Sequence, residues 1–292
     1  MPSSPAKQRP RRRKPEETLS GGSVQVRGQN VYYEAAGVSE LGPSMLFLHE
    51  AGGCSATWHG QLVGLAQSGR CLVVDLPGHG RSEGSGYGTV AEYRASLTAF
   101  LDALAIRWPV VVAGVCLGAL IAVDLAAAAP DRVAGLVLAG VSENGRAGDG
   151  IWDGAARGEA PEGFVTDLFS RSVNPSIISR RLQRWRQTSP TVRFADLAAV
   201  QGYPLRTALQ AVRHPTLIVA GEEDPVATPS VARELAGVAG RSRVVVIPRA
   251  GCLSMVEQPA LFSRAMQEFV AELGPAGPIV PDVGRPGGYR RT

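Results

Sequence analysis

Apolar positions along the chain gather in short runs separated by stretches with helical spacing. Val24-Val26 and Val31-Tyr33, joined by Arg27-Gly28-Gln29, predict an opening antiparallel hairpin. Met45-Leu48, Cys71-Val74, the valines from Val110, Gly135-Ala139, Thr216-Ala220 and Arg243-Ile247 read as buried strands. Between them lie a short helix containing Trp58, Leu62, Val63 and Leu65, and a longer one marked by Val90, Tyr93, Leu97, Phe100, Leu101 and Leu104. A small-residue helix follows Leu117, another spans Ser230-Val238, and a closing helix carries Leu261, Phe262, Ala265, Met266, Phe269 and Val270 on one face. Strands alternating with helices over short links predict an α/β protein, a mostly parallel sheet covered on both faces. The apolar run Val110-Val123 is too short for a membrane span, and Asp124 follows it.

The pattern breaks from Glu143 to about Arg206, where strand-like runs stop. Gly, Pro and the aromatics Trp152, Phe164, Phe169, Trp185 and Phe194 appear instead. The ends differ again: residues 1–22 are basic and Pro-rich, and residues 274–292 are rich in Pro and Gly, so both read as disordered tails.

One junction carries candidate chemistry. In Val110 to Ala129, VVVAGVCLGALIAVDLAAAA, a strand turns at once into a helix through Gly114-Val115-Cys116-Leu117-Gly118. Such a turn needs a strained residue at its tip and no bulk two positions to either side. G-x-C-x-G meets both demands and lifts a thiol to the amino end of the helix.

Here the chain resembles the α/β-hydrolase superfamily, whose nucleophile elbow reads G-x-S-x-G. His49-Glu50-Ala51-Gly52-Gly53 is similar to its HG-type oxyanion loop, and Asp75-Leu76-Pro77-Gly78-His79-Gly80-Arg81-Ser82 to its D-x-P-G-x-G-x-S loop. Gly221-Glu222-Glu223-Asp224-Pro225 resembles the loop that carries its acid. The resemblance runs from about Val24 to Leu273. It implies an α/β-hydrolase fold with a mostly parallel eight-stranded sheet. The core would be residues 23–142 and 207–273, with residues 143–206 a helical cap shaping a pocket for a small hydrophobic molecule.

Charge and composition narrow the partners. The net charge of +4 is concentrated in the tails. Six basic against two acidic residues in 1–20 and three against one in 275–292 leave the body at −2, which is no nucleic-acid surface. No apolar segment follows the Arg11-Arg12-Arg13 run, so no signal peptide is read, and four cysteines in 292 residues make no disulfide framework. A cytoplasmic protein with no membrane partner is expected, and a homodimer is left open. Only Lys7 and Lys14 are lysines, which with the Ala and Gly excess suggests a GC-rich bacterial gene.

The family mechanism implies a nucleophile, a base, an acid that orients the base, and oxyanion donors. The matching positions are Cys116 as nucleophile, Asp224 as acid, and the amides of Ala51 and Leu117 as donors. The base belongs in a G-H-x-x-x-x-E-x-P frame, yet the chain reads Gly251-Cys252-Leu253-Ser254-Met255-Val256-Glu257-Gln258-Pro259. The frame is intact and Cys252 stands where the histidine should be. His49, His59, His79 and His214 all read as scaffold histidines. Cys54, Cys116 and Cys252 are expected near one pocket, with Cys71 inert on a core strand. Since nucleophile and base in this fold are usually too far apart at Cα, no Cys116–Cys252 bridge is expected. Glu50, where relatives commonly have Gly, is a candidate acid/base if it points into the cavity. Glu143, Trp152 and Trp185 join Cys54 as candidate pocket residues, and for Glu143 a solvated loop carboxylate is the plainer reading. No metal site or cofactor is expected, because no C-x₂-C spacing or paired histidine is present.

The missing base points away from ordinary ester hydrolysis. A thiol of pKa about 8.5 can be activated at a helix amino end without a base, but water cannot. The reading is an atypical enzyme of secondary metabolism: a cyclase, isomerase, epimerase or acyl-transfer catalyst on a small or carrier-bound acyl substrate. Cysteine elbows are similar to those of dienelactone hydrolases, polyester synthases and Dieckmann cyclases, which keep a histidine. Two alternatives stand beside it, a catalytically silent small-molecule-binding pseudo-hydrolase and a Cys-dependent esterase or thioesterase.

Overall fold

The computed structural model describes residues 19–38, 42–143 and 162–274. Eight strands form one sheet among these: β1 (Ser20–Val26), β2 (Gln29–Ala36), β3 (Met45–Leu48), β4 (Cys71–Val74), β5 (Val110–Val115), β6 (Val133–Ala139), β7 (Thr216–Gly221) and β8 (Ser242–Ile247). Their order across the sheet is β1-β2-β4-β3-β5-β6-β7-β8. The pairs β1–β2 and β2–β4 are antiparallel and every later pair is parallel, which is the α/β-hydrolase sheet. The first strand begins at Ser20, so residues 20–22 belong to the hairpin and not to the tail: Ser20 pairs with Ala35 and Gly22 with Tyr33.

Alternate residues of each strand feed two separate cores, as the pleat requires. Leu46, Leu48, Leu72, Val74, Val110 and Val112 face one side, under α2 (Val90–Ala103), α3 (Leu117–Ala128) and α8 (Pro229–Val238). Met45, Phe47, Cys71, Val73, Val111 and Ala113 face the other, under α1 (His59–Gly64) and the closing α9 (Pro259–Glu272). Local sequence sets the helix starts. Thr89 accepts from the Glu92 amide at 3.3 Å while its hydroxyl donates to the Glu92 carboxylate at 2.6 Å, a reciprocal cap at the head of α2. Thr228 caps α8 with Pro229 at the first helical position.

The cap supplies α4 (Glu162–Thr166), α5 (Pro175–Gln187) and α6 (Pro190–Val200). Next, α7 (Leu205–Ala211) packs on α3 and α8, so the boundary expected at 206/207 falls inside a helix that already belongs to the core. Trp152, the rest of the expected cap (residues 144–161) and most of both tails lie outside the described residues. No helix among the described residues is long and apolar enough to cross a membrane.

Close approach at the β5–α3 junction positions the site. A Cβ at Gly118 would lie 2.3 Å from the Leu48 carbonyl oxygen, and one at Gly114 would lie 2.2 Å from the Gly118 oxygen. Helix α3 therefore rests on β3 and β5 with backbone against backbone. Gly118→Ala is expected to destabilise the fold by about 2 kcal/mol or more, since the obstructing atoms are main chain and cannot turn aside. Urea unfolding checks this, and an unchanged midpoint would contradict the close contact.

Candidate active site

Cys116 stands between β5 and α3 with φ 49° and ψ −114°, a left-handed conformation that costs a non-glycine residue on the order of 1–3 kcal/mol. The surrounding backbone holds it: its amide donates to the Ala139 carbonyl at 3.0 Å, and its carbonyl accepts from Ala119 and Leu120. The thiol is half-buried at the amino end of α3, where the helix dipole favours negative charge.

Facing it is Cys252, buried to 1% exposure, with the two sulfurs 3.0 Å apart and either thiol able to donate to the other. The two side chains thus meet at their sulfurs while both cysteines stand unbridged. Gly140 explains the fit. At φ +59° it closes the end of β6, and a Cβ there would lie 2.3 Å from the Cys252 sulfur and 3.2 Å from that of Cys116. The turn bearing Cys252 is tied down by the glutamate of the family frame. Glu257 accepts from the amides of Gly251 at 2.8 Å and Ser170 at 3.0 Å, and burial raises its pKa. The Leu253 amide adds a bond to the Leu168 carbonyl, so the base of the cap closes over the turn.

The loop carrying Asp224 is stitched to the same turn. Amides of Glu222 and Glu223 donate to the carbonyls of Ile247 and Ala250, both at 2.9 Å. Asp224 is buried there, one carboxylate oxygen accepting from the amides of Val226 and Ala227, each at 2.9 Å.

The loop 50–53 shows what the sequence concealed. Arg181 of α5 donates to the carbonyls of Gly52 at 2.9 Å and Ala51 at 3.0 Å, and its Nε lies 2.8 Å from a Glu50 carboxylate oxygen. Thr57 donates to that same oxygen at 3.2 Å. Glu50 is therefore not aimed at Cys116: a carboxylate this buried requires a cation, and the cap provides one. Its expected role as acid/base is withdrawn. A second cap residue, Asp196 of α6, accepts from the Gly52 amide at 2.7 Å, from His79 Nε2 at 2.7 Å and from the Tyr93 hydroxyl at 2.5 Å. Neither Arg181 nor Asp196 is singled out by the sequence pattern. The signal available was Glu50 itself, since an acid replacing Gly inside a core loop calls for a buried base elsewhere.

The four histidines serve elsewhere. His49 and His79 are buried 4.8 Å apart, ring to ring. His49 contacts the Glu50 carbonyl and accepts from the Leu76 amide, and burial followed by the neighbouring His79 lowers its pKa well below the ordinary value. Burial opposes charge on His79 too, but the Asp196 carboxylate outweighs it and the pKa is raised. His59 lies exposed at the start of α1, and His214 contacts the Pro130 carbonyl. The hydrogen-bond partner of the Cys116 sulfur is a second sulfur, not an imidazole.

Beside Cys116 lies a small apolar cavity of about 30 Å³ lined by Ala51, Leu117, Leu120, Gly140, Val141, Ser142, Phe164, Leu197 and Val200. Both expected oxyanion positions, Ala51 and Leu117, border it beside the thiol. Three expected pocket residues do not line it. Cys54 caps the short turn before α1, half-buried, and burial raises its pKa. Glu143 is held by Arg206 in a separate surface groove with Val226 and Val231, because a half-exposed carboxylate finds the nearest guanidinium. Trp185 is fully buried, its ring against Gly52 and 5.5 Å from that of Phe164, so it wedges the cap onto the loop. Cys71 lies inside the core on β4, where burial pushes its pKa to about 12. Among the described residues, no three His, Cys, Asp or Glu side chains are arranged to hold a metal ion.

Residues 45–265 match the profile described as the alpha/beta hydrolase family. The dihydrolipoyllysine-residue acetyltransferase component of the acetoin cleaving system of Pseudomonas putida is 29% identical over 82% of this chain, which spans 66% of that protein's length. The pimeloyl-[acyl-carrier protein] methyl ester esterase of Nitrosomonas europaea is 28% identical over 76% of this chain and 93% of its own. Among solved structures, a thermophilic esterase from Thermogutta terrifontis superposes with a TM-score of 0.78 at 23% identity, covering 87% of this chain and 99% of its own, a likeness of fold.

The raised pKa of His79 makes the Asp196 hub sensitive to pH. A histidine whose folded-state pKa lies above its unfolded value of 6.5 contributes stability that is complete below 6.5 and lost as the pH rises through the folded-state value. The stability gap between the wild type and Asp196→Asn should therefore be widest in mild acid and shrink on the alkaline side. Urea titrations across that range check it, and a gap that widens with pH would contradict the charged pair.

Proposed function

The chain belongs to the alpha/beta hydrolase family, and from that premise we propose that it is an acyl-transfer or acyl-rearranging enzyme, such as a cyclase, isomerase or epimerase, and not an ordinary ester hydrolase. The carrying observation is the sulfur 3.0 Å from Cys116 at the place where the family frame keeps a histidine. The Cys116 sulfur attacks an activated acyl group, a thioester in the simplest case. The amides of Ala51 and Leu117 stabilise the oxyanion, and the thiol leaves with the proton that Cys116 gives up. A thioester suits a thiol nucleophile because bond energies on the two sides are nearly matched. The apolar walls of Leu120, Val141, Phe164 and Leu197 suit a hydrophobic acyl chain.

Resolution of the acyl-enzyme is where this chain departs from an esterase. Hydrolysis requires a base to deprotonate water, and no imidazole reaches the sulfur among the described residues. A carbon, nitrogen or sulfur nucleophile, on the same substrate or a second one, does not depend on that base to the same degree. A carrier-borne substrate is supported by the relative named for a methyl ester on an acyl-carrier protein, and an acyl acceptor by the relative named as an acetyltransferase component. A second reading, a binding protein without turnover, draws on the same apolar cavity.

Two variants separate these readings. Incubation with an acyl thioester should add one acyl group at Cys116 by intact-mass analysis, and Cys116→Ala should add none; an unlabelled wild type favours binding alone. Cys252→His returns an imidazole to the frame and should raise hydrolysis of a p-nitrophenyl ester by about 10²-fold. A wild type that already hydrolyses such esters as fast as Cys252→His would overturn the proposal.

A further inference from the structure

We propose that Cys116 and Cys252 form a reversible dithiol–disulfide couple, which makes the elbow thiol a site of oxidative modification by peroxides. Three observations carry this, and none depends on the acyl chemistry above. The sulfurs are already 3.0 Å apart, so a bond of about 2.05 Å requires them to close by about 1 Å. Gly140 leaves the space in which they meet, since a side chain there would collide with Cys252 and crowd Cys116. Their accessibility is also graded: Cys116 borders the cavity, while Cys252 lies behind it, buried to 1%. A redox-sensing cysteine is typically an accessible thiol poised beside a resolving one, and this pair has that arrangement. The other two cysteines differ, Cys71 being enclosed in the core on β4 and Cys54 lying in the turn before α1.

The chemistry balances with hydrogen peroxide as the oxidant. The Cys116 thiolate attacks one peroxide oxygen, the O–O bond breaks, and with one proton the products are the sulfenic acid and water. The Cys252 thiol then attacks the Cys116 sulfur, forming the S–S bond. Its proton and the departing hydroxide make a second water. Two thiols have lost two electrons and two protons, and one peroxide has become two waters. A small dithiol reverses the step by exchange. While the bond stands, Cys116 cannot accept an acyl group, so oxidation silences the site without destroying the sulfur. Cys252 thereby spares Cys116 from the irreversible sulfinic and sulfonic states.

The test uses the full chain, reduced, freed of reductant and exposed to a few equivalents of hydrogen peroxide, then alkylated and mapped by mass spectrometry without reduction. The expected product is a peptide pair joined through Cys116 and Cys252, two hydrogens lighter than the sum of its parts and separated by dithiothreitol. In Cys252→Ala the cross-link should vanish and dimedone labelling of Cys116 should rise at least about tenfold, because the sulfenic acid has no resolving partner. Cys252→Ser serves equally should the alanine variant fold poorly. Phenylarsine oxide, a probe for paired thiols, should add once to the wild type and to neither single variant. Sulfinic acid at Cys116 beside an alkylated Cys252 in the wild type would overturn the proposal, as would a cross-link through Cys54 or Cys71. The two proposals fail separately: a cross-link without acylation removes only the catalytic reading, and acylation without a cross-link removes only this one.

Discussion

Helix α3 lies so close to strands β3 and β5 that main chain touches main chain, and the site follows from that contact. With Gly118 against the Leu48 carbonyl and Gly114 against Gly118, the link from strand to helix has no slack. The residue at its tip must take a left-handed conformation, and Cys116 takes it. The unfavourable backbone geometry is held by the packing of α3, whose side chains from Leu117 to Val123 are nearly all buried. What the strain achieves is placement: a thiol held at a helix amino end, facing a cavity instead of the sheet.

A second constraint comes from the cap. Arg181 and Asp196 grip opposite sides of the loop 50–53, the first through the carbonyls of Ala51 and Gly52 and the second through the Gly52 amide. The Trp185 ring packs against Gly52 of the same loop. A loop in this state has its carbonyls turned toward the cap and occupied, which is compatible with the Ala51 amide serving the cavity side. Glu50 belongs to the same clamp, since its carboxylate neutralises Arg181 and lets a guanidinium stay buried. Breaking either partner alone would leave an uncompensated charge inside the protein, a far larger cost than the pair itself contributes.

Much of this was legible in the amino-acid order. All eight strands could be read from short apolar runs, and the elbow from two glycines spaced about a cysteine. That Cys252 stands where the resemblance implies a histidine was readable because the glycine, glutamate and proline of that frame are present. Three things were not legible, each for a physical reason. The hub at Asp196 joins α6 to His79, Tyr93 and Gly52, contacts across more than a hundred residues that no local periodicity encodes. The orientation of Glu50 depended on a cation supplied by a distant helix. The meeting of two sulfurs depended on Gly140, whose missing side chain has no signature of its own in the strand pattern. Cys54 and Glu143 were drawn toward the pocket by nearness in sequence to its loops and Trp185 by its place in the expected cap, and burial or a nearer partner took each elsewhere.

We propose that this site keeps the means to take up an acyl group while lacking the means to give it to water. A rapid-quench experiment with an acyl thioester tests it most directly. Expected is a burst of released thiol matching one equivalent of protein, then almost no further release until an amine or a second thiol is added, whereupon turnover resumes. Steady thiol release in water alone, continuing well beyond one equivalent, would contradict it.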